Sequence, residues 1–292
     1  MSPLVPISHQ FVASSGISLA VHDWGGTGDP VLLAHPTGFH GRAWAPVAAA
    51  LVGAGRQVWS FDFRGHGDSD RSPDGQYRWE EFAQDALAVT RHLELAGVPE
   101  LLAAGHSKGG ASLLWGAVHE PGTYPRIWCF EPIVIPVDAP ILAATDNPLS
   151  AGARKRRDQW PSRAEAIASY ASKPPLRSLS PDALEAYVDY GMRDRADGTV
   201  ELKCRPEDEA TMYMMGATLG LYPQLDRVDV PVLVACGRTT TSITPAFAAA
   251  LVDRLPNATL EVWEDRGHFG PLEDPERAAE SMLEFAQGSP SR

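Results

Sequence analysis

A serine between two glycines is the first feature of this sequence that could carry out chemistry. The segment reads Gly105-His-Ser107-Lys-Gly109, and it lies between an apolar run at 101–104 and a helical pattern at 110–119. In this strand–turn–helix context, Gly-x-Ser-x-Gly predicts a tight turn that exposes the serine hydroxyl. Glycine is needed on both sides because side chains there would collide, while the serine is held at strained dihedral angles. We therefore expect Ser107 to be a nucleophile.

A serine hydroxyl is a weak nucleophile until a general base removes its proton. Of the nine histidines, His268 is the candidate, because its segment at 265–275 forms the loop between the last predicted strand and the last predicted helix. A loop at the carboxyl end of a strand can reach the turn that carries Ser107. The sequence therefore predicts His268 as the base.

Three segments together resemble the α/β-hydrolase superfamily: 105–110, 62–70 and 267–275. The resemblance implies an α/β fold with an eight-stranded, mostly parallel sheet flanked by helices. It also implies a mostly helical lid inserted after strand 6 and a Ser–His–acid triad in the chain order serine, acid, histidine.

The acid of this triad departs from the most common pattern of the superfamily, an aspartate after the seventh strand. The matching stretch at 237–245 carries Thr240 where that carboxylate would stand. Glu131 directly follows a predicted strand at 126–130, and some members similar to the haloalkane dehalogenases supply the acid from this position. We therefore expect Glu131 to orient His268, with Asp265 and Glu264 as the alternatives.

An oxyanion hole requires two backbone N–H groups. The resemblance implies that one belongs to Lys108, directly after the nucleophile, and that the other lies in the loop after the third strand. In that loop Pro36 has no N–H to donate, so we expect Thr37 to be the second donor. The Lys108 side chain, unusual beside a nucleophile, is expected to snorkel to the surface or to pair with a carboxylate.

Aromatic side chains of the loops and of the lid are candidates for an apolar substrate pocket, although packing in the core explains them equally well. The predicted substrate-binding residues are Phe39, Trp44, Trp160 and Tyr213. A basic run at 154–157 is expected to form a solvated face of the lid, with attraction of an anionic substrate as the alternative.

The predicted elements position these residues. Short apolar runs alternate with helical patterns except at 137–227, where helical segments are joined by proline-rich breaks. Alternation of strand and helix predicts a parallel sheet covered on both faces. We expect a hydrolase core at 1–136 and 228–292, and a helical cap at 137–227.

Composition limits the class of protein further. Of the 292 residues 44% are hydrophobic, which excludes disorder, and the net charge of −12 disfavours nucleic acid. The three cysteines fit neither a metal site nor a disulfide framework, and no segment has the length of a membrane span or the pattern of a signal peptide. We expect a cytoplasmic protein with a small-molecule substrate, no membrane association, and no cofactor or metal; oligomeric state is not predicted.

The combined prediction is a serine hydrolase that cleaves an ester, lactone or thioester of a small apolar molecule through an acyl-enzyme. Serine at position 107 argues against dehalogenases and epoxide hydrolases, which carry aspartate there. Three alternatives share the fold: a cofactor-independent dioxygenase, a carbon–carbon bond hydrolase, and a relative that only binds a small molecule.

Overall fold

Apolar strands and amphipathic helices alternate along the first part of the chain. The structure is a computed structural model that describes residues 4–13, 15–135, 147–215 and 220–288. The first elements are the strands β1 (Ile7–Val12), β2 (Ser18–Gly25), β3 (Pro30–Ala34), β4 (Gln57–Phe61), β5 (Leu102–His106) and β6 (Ile127–Phe130), and the helices α1 (Ala45–Gly53), α2 (Trp79–His92) and α3 (Lys108–His119).

The alternation is interrupted after β6, as the sequence predicts. The described elements that follow are the helices α4 (Pro148–Arg154), α5 (Arg163–Ala171), α6 (Pro181–Gly191) and α7 (Pro206–Met214), and the strands β7 (Gln159–Trp160), β8 (Met192–Asp194) and β9 (Val200–Leu202). The three strands form a small antiparallel sheet in the order β7-β9-β8. The alternation then resumes with β10 (Val232–Gly237), α8 (Pro245–Val252), β11 (Ala258–Trp263), α9 (Gly270–Glu273) and α10 (Pro275–Ala286).

The main sheet has eight strands in the order β1-β2-β4-β3-β5-β6-β10-β11. Strand β2 is antiparallel to both of its neighbours, whereas the pairs from β4 to β11 are parallel. The carboxyl ends of the parallel strands therefore meet at one edge of the sheet, where open α/β sheets bind ligands.

Helices cover both faces of this sheet, which explains why its central strands are apolar throughout. All five residues of β3 are buried, and Leu32 and Leu33 pack into two different clusters on opposite faces. Leu113 of α3 belongs to the first cluster, while Val47 of α1 and Met282 of α10 belong to the second. Burial on both faces is the physical reason for the continuous hydrophobic runs.

The elements between β6 and β10 lie over the carboxyl edge of the sheet. Arg71, in a loop of the core, binds the Asp208 carboxylate of α7 with two contacts of 2.7 Å. On the neighbouring loop, the His40 ring donates a hydrogen bond of 3.1 Å to the carbonyl oxygen of Tyr187 in α6. These contacts attach the inserted segment to the loops at the strand ends, and its role as a lid stays a prediction.

The observed elements refine the predicted ones. The eight-stranded α/β fold is confirmed, and helix α10 has the predicted bounds of 275–286. The description of the lid as mostly helical is incomplete, because the sheet of β7, β8 and β9 was not predicted. Strands of two or three residues are too short to show the alternation by which strands are recognised. Of the two predicted boundaries between core and cap, the one at 136/137 lies outside the described residues, and the one at 227/228 stays a prediction.

Candidate active site

Three adjacent strand ends carry the residues expected to do chemistry. Ser107 follows β5 and Glu131 follows β6, and these two strands are neighbours in the sheet. His268 lies in the loop after β11, which pairs with β10, the other neighbour of β6. The sheet order thus places Glu131 between the strand of the serine and the strands that hold the histidine loop.

The turn at Ser107 has the strained geometry that the sequence predicts. Ser107 has φ of 55° and ψ of −115°, in a region that residues with a Cβ rarely adopt. A Cβ on Gly105 would stand 2.5 Å from the backbone nitrogen of Gly110, and one on Gly109 would stand 2.2 Å from the Ala34 carbonyl oxygen. Both glycines are therefore required by close approach of backbone to backbone.

Glu131 forms a short hydrogen bond with the candidate base. Its Oε2 lies 2.6 Å from Nδ1 of His268, and its side chain is fully buried. The carboxylate also accepts the N–H groups of Gly237 (3.0 Å) and Ile243 (3.3 Å) and the hydroxyl of Thr240 (2.9 Å). These donors compensate for the loss of water around a buried carboxylate. Nδ1 must donate to Glu131, which leaves Nε2 free to accept a proton.

The alternative acids contact arginines instead of His268. Asp265 pairs with Arg266 at 2.6 Å, and Glu264 pairs with Arg238 at 2.7 Å. Both carboxylates are exposed. The structure therefore brings only Glu131, of the three proposed acids, into contact with the imidazole.

Two further residues support this arrangement and were missed in the sequence. The His106 ring donates a hydrogen bond of 2.7 Å from Nε2 to the backbone oxygen of His268, and burial lowers the pKa of His106 well below its usual range. His106 is therefore a neutral donor that holds the histidine loop. Thr240 donates its hydroxyl to Glu131, and its location at the usual acid position was the signal that could have revealed this role.

No hydrogen bond joins Ser107 and His268 among the described residues, although His106, next to Ser107 in the chain, contacts the His268 ring. Within the described residues, the hydrogen bonds of His268 go to Glu131 and His106, and none goes to the Ser107 hydroxyl. Such contacts are often long in enzymes without substrate and tighten when it binds.

The turn at 36–39, which follows β3, leaves one N–H group unused among the described residues. The N–H of Gly38 donates to Nε2 of His66 at 3.2 Å, and the N–H of Phe39 donates to the Pro36 oxygen at 3.3 Å. Proline has no N–H, so the N–H of Thr37 is the one in this turn without a partner among the described residues. Thr37 therefore has the free donor that an oxyanion hole requires.

Lys108 provides a second free N–H group, but its side chain lies where neither expectation placed it. As the first residue of α3, it has an N–H without an acceptor inside the helix. The amine is fully buried, 3.3 Å from Nε2 of His66 and above the rings of Phe63 and Phe82. The expected snorkelling or carboxylate pairing is therefore wrong, because the surrounding rings separate the amine from solvent. Burial lowers the pKa of this ammonium well below its usual range.

The four aromatic candidates are divided between a cavity and the core. Phe39 lines a cavity of about 10 Å³, which has room for about one water molecule. Among the described residues, this cavity is lined by Gly38, Phe39, His40, Gly67, Arg156, Tyr187, Gly191, Leu202 and Cys204. Trp44 packs in the core with 1% exposure, Trp160 packs against Tyr170, and Tyr213 is half-buried beside Glu209. None of these three lines the described cavity.

The basic run at 154–157 is not a uniformly solvated face. Arg154 pairs with Glu207 at 3.2 Å on the surface. Arg156 points inward, pairs with the buried Glu209 at 2.5 Å and lines the cavity beside Phe39.

Two searches of the described residues bear on other kinds of site. Within them, no set of three or more His, Cys, Asp or Glu side chains is arranged to hold a metal ion. No described helix combines the length and the apolar character needed to cross a bilayer.

Comparison with known proteins places this chain in a family. The model of the alpha/beta hydrolase family matches residues 31–281. The chain is 30% identical over 227 residues to 3-oxoadipate enol-lactonase 2 of Acinetobacter baylyi, covering 75% of this chain and 74% of the relative. It is 27% identical over 289 residues to a non-heme chloroperoxidase of Streptomyces lividans, covering 94% and 98%. The structure of E-2-(acetamidomethylene)succinate hydrolase superposes with a TM-score of 0.81 at 20% identity, covering 97% and 99%. This chain therefore belongs to the alpha/beta hydrolase family.

Proposed function

We propose that this protein is a serine hydrolase that cleaves an ester-type bond (ester, lactone or thioester) of a small molecule. The observation that carries the proposal is the 2.6 Å contact of the buried Glu131 with Nδ1 of His268, at the strand ends next to the strained Ser107. Membership of the family and the lactonase relative support the same class of reaction.

In the proposed reaction Oγ of Ser107 attacks the substrate carbonyl carbon, while Nε2 of His268 takes the hydroxyl proton. Glu131 stabilises the imidazolium that forms, since it already binds the other ring nitrogen. The carbonyl oxygen acquires negative charge and is bound by the N–H groups of Thr37 and Lys108.

Collapse of this intermediate breaks the bond to the leaving group, which receives the proton from His268. An acyl group then remains on Ser107. Water attacks the acyl carbon while His268 removes a proton from the water, and the carboxylic acid leaves as Ser107 recovers its proton. Each of these steps uses only groups of the chain, substrate and water.

The test is hydrolysis of p-nitrophenyl acetate together with labelling by a fluorophosphonate. We expect the wild type to be labelled, and Ser107→Ala to lose labelling and to lose roughly 10⁴-fold or more in kcat. The matched control is Ser112→Ala, because Ser112 lies on α3, the helix that begins directly after Ser107, and among the described residues its hydroxyl bonds only the Lys108 carbonyl, at 2.8 Å.

Three results would contradict the proposal. One is wild-type protein that resists the fluorophosphonate, and another is a Ser107→Ala variant with most of the wild-type activity. The third is substrate-dependent consumption of oxygen without ester hydrolysis, which would favour the dioxygenase alternative.

A further inference from the structure

We propose that Arg156 binds a carboxylate group of the substrate, so that the substrates are small esters or lactones that carry a free carboxylate. The inference rests on the proposed hydrolase function and names the substrate class of the same site.

The guanidinium of Arg156 lies beside the loop that holds the free N–H of Thr37. Its Nη1 would be 3.5 Å from a Cβ on Gly38, the residue after Thr37, and Oε1 of its partner Glu209 would be nearer still, at 2.5 Å. A substrate group bound to Arg156 would therefore be a few atoms away from a carbonyl oxygen bound at Thr37.

Arg156 also stands between the inner cavity and an open cleft of about 410 Å³. Arg156 and Leu202 line both spaces, so the guanidinium can be reached from the cleft, while the inner cavity itself has room for about one water molecule. The described residues that line the cleft are Arg154, Arg156, Asp158, Arg193, Glu201, Leu202, Arg205, Pro206 and Glu207. Four arginines against three carboxylates give this cleft a net positive charge on a chain of net charge −12, which favours entry of anions.

Arg156 is the single charged side chain in the described lining of the inner cavity, and its partner Glu209 lies beside it. Burial lowers the pKa of His40 to about 4, and burial raises the pKa of the Cys204 thiol, so both are neutral at pH 7. Burial disfavours the charged form of Arg156, but Tyr187 and Glu209 outweigh it and raise the pKa of the guanidinium. Arg156 therefore stays charged, and because 23% of its side chain is exposed, a carboxylate in the cleft can reach the guanidinium.

The guanidinium is held in place and still has donors to offer. Nη1 donates to the Glu209 carboxylate at 2.5 Å, and Nη2 donates to the Tyr187 hydroxyl at 2.6 Å. An arginine has five N–H bonds, and no other described residue accepts from this one. A planar, fixed fork with free N–H groups is suited to a carboxylate. Glu209 would repel the greater charge of a phosphate dianion, which favours a carboxylate monoanion.

The experiment compares two esters of equal acyl length, mono-p-nitrophenyl glutarate and its methyl ester, which differ in one negative charge. We expect the wild type to show the higher kcat/KM on the anionic ester. In Arg156→Gln the ratio of the two kcat/KM values should fall by about 10–100-fold, as expected for loss of a charge-assisted hydrogen bond. Arg156→Lys keeps the charge without the planar fork of the guanidinium. Its ratio should lie between that of the wild type and that of Arg156→Gln.

Two controls separate recognition from general effects. Arg177→Gln makes the same change of charge at an exposed position of the lid and should leave the ratio unchanged. Arg156→Gln leaves the Glu209 carboxylate without its partner, and this carboxylate would repel the anionic ester. The double variant Arg156→Gln/Glu209→Gln removes the repulsion and should still lack the preference for the anionic ester. Thermal unfolding of each variant checks that it is folded.

The inference would be overturned by a ratio that is the same in wild type and Arg156→Gln, by recovery of the preference in the double variant, or by stronger competition from inorganic phosphate than from glutarate. Failure of the proposed function gives a different result, namely no hydrolysis of either ester. In that case, binding of glutarate to wild-type protein and to Arg156→Gln, measured by calorimetry, still decides the role of Arg156: equal affinity would overturn it.

Discussion

Glu131 accepts four hydrogen bonds from described residues, and this explains how a carboxylate remains at a fully buried position. An unpaired charge there would be very unfavourable, because the water that solvates it in the unfolded chain is lost. Glu131 also has a positive φ of 45°, like the neighbouring Ser107. Strain of this kind persists where surrounding contacts fix the backbone, and it concentrates at functional sites.

Two substitutions test which carboxylate is the acid of the triad. We expect Glu131→Gln to lower kcat by about three to four orders of magnitude, because an amide cannot stabilise the imidazolium. Asp265→Asn should change kcat less than threefold, since Asp265 contacts only arginines in the described structure. Steady-state hydrolysis of p-nitrophenyl acetate measures both, and the opposite ranking would show that the acid is not Glu131.

At the scale of elements, α3 and β3 approach each other closely at the site. Gly109 brings the first turn of α3 against the Ala34 carbonyl at the end of β3. This contact fixes the distance between the turn that carries Ser107 and the loop that carries Thr37. The two proposed oxyanion donors thus depend on one packing contact between two elements.

We expect Gly109→Ala to destabilise the protein by about 1–3 kcal/mol or more, because backbone atoms must move to admit the methyl group. Esterase activity should fall with it, since α3 and β3 would move apart. The matched control is Gly152→Ala in α4, where a Cβ meets nothing within 4 Å, and it should stabilise the protein by about 0.5–1 kcal/mol. Urea unfolding measures both changes; equal effects would show that the contact is not tight.

At the scale of the whole molecule, folding buries several histidines in their neutral form. Burial is the first cause that lowers the pKa of His35, His40, His66 and His106. In the unfolded chain a histidine has a pKa near 6.5. Below that pH the unfolded state therefore binds protons that the native state does not.

The free energy of unfolding should be highest above pH 6.5 and should fall as the pH decreases toward the native pKa values. For His40, a native pKa of about 4 corresponds to about 3 kcal/mol over this range, at about 1.4 kcal/mol per pKa unit.

Urea unfolding between pH 5 and 6.5 tests this prediction by comparison of the wild type with His40→Gln. The slope of the free energy of unfolding against pH reports the number of protons taken up on unfolding. This number should be smaller by about one in the variant, because the titration of all other groups is common to both proteins. Identical slopes would show that His40 is not buried as a neutral ring.

Short-range patterns in the sequence were sufficient for the main fold. Each central strand is a continuous run of apolar residues, and the helices repeat apolar residues at helical spacing. The order of strands and helices can therefore be predicted from local patterns in the sequence. The segments around Ser107 and His268 carry their own turn chemistry, and the resemblance of these segments to the α/β-hydrolase superfamily is confirmed.

The tertiary structure alone decided the partners of the side chains. The sequence does not show that Thr240 donates to Glu131, that His106 holds the loop of His268, or that Arg156 points inward to Glu209. It also gave the wrong surroundings for the Lys108 amine. A local pattern fixes which face of an element is apolar, but the atoms that meet a polar group come from elements far away in the chain, and only packing brings them together.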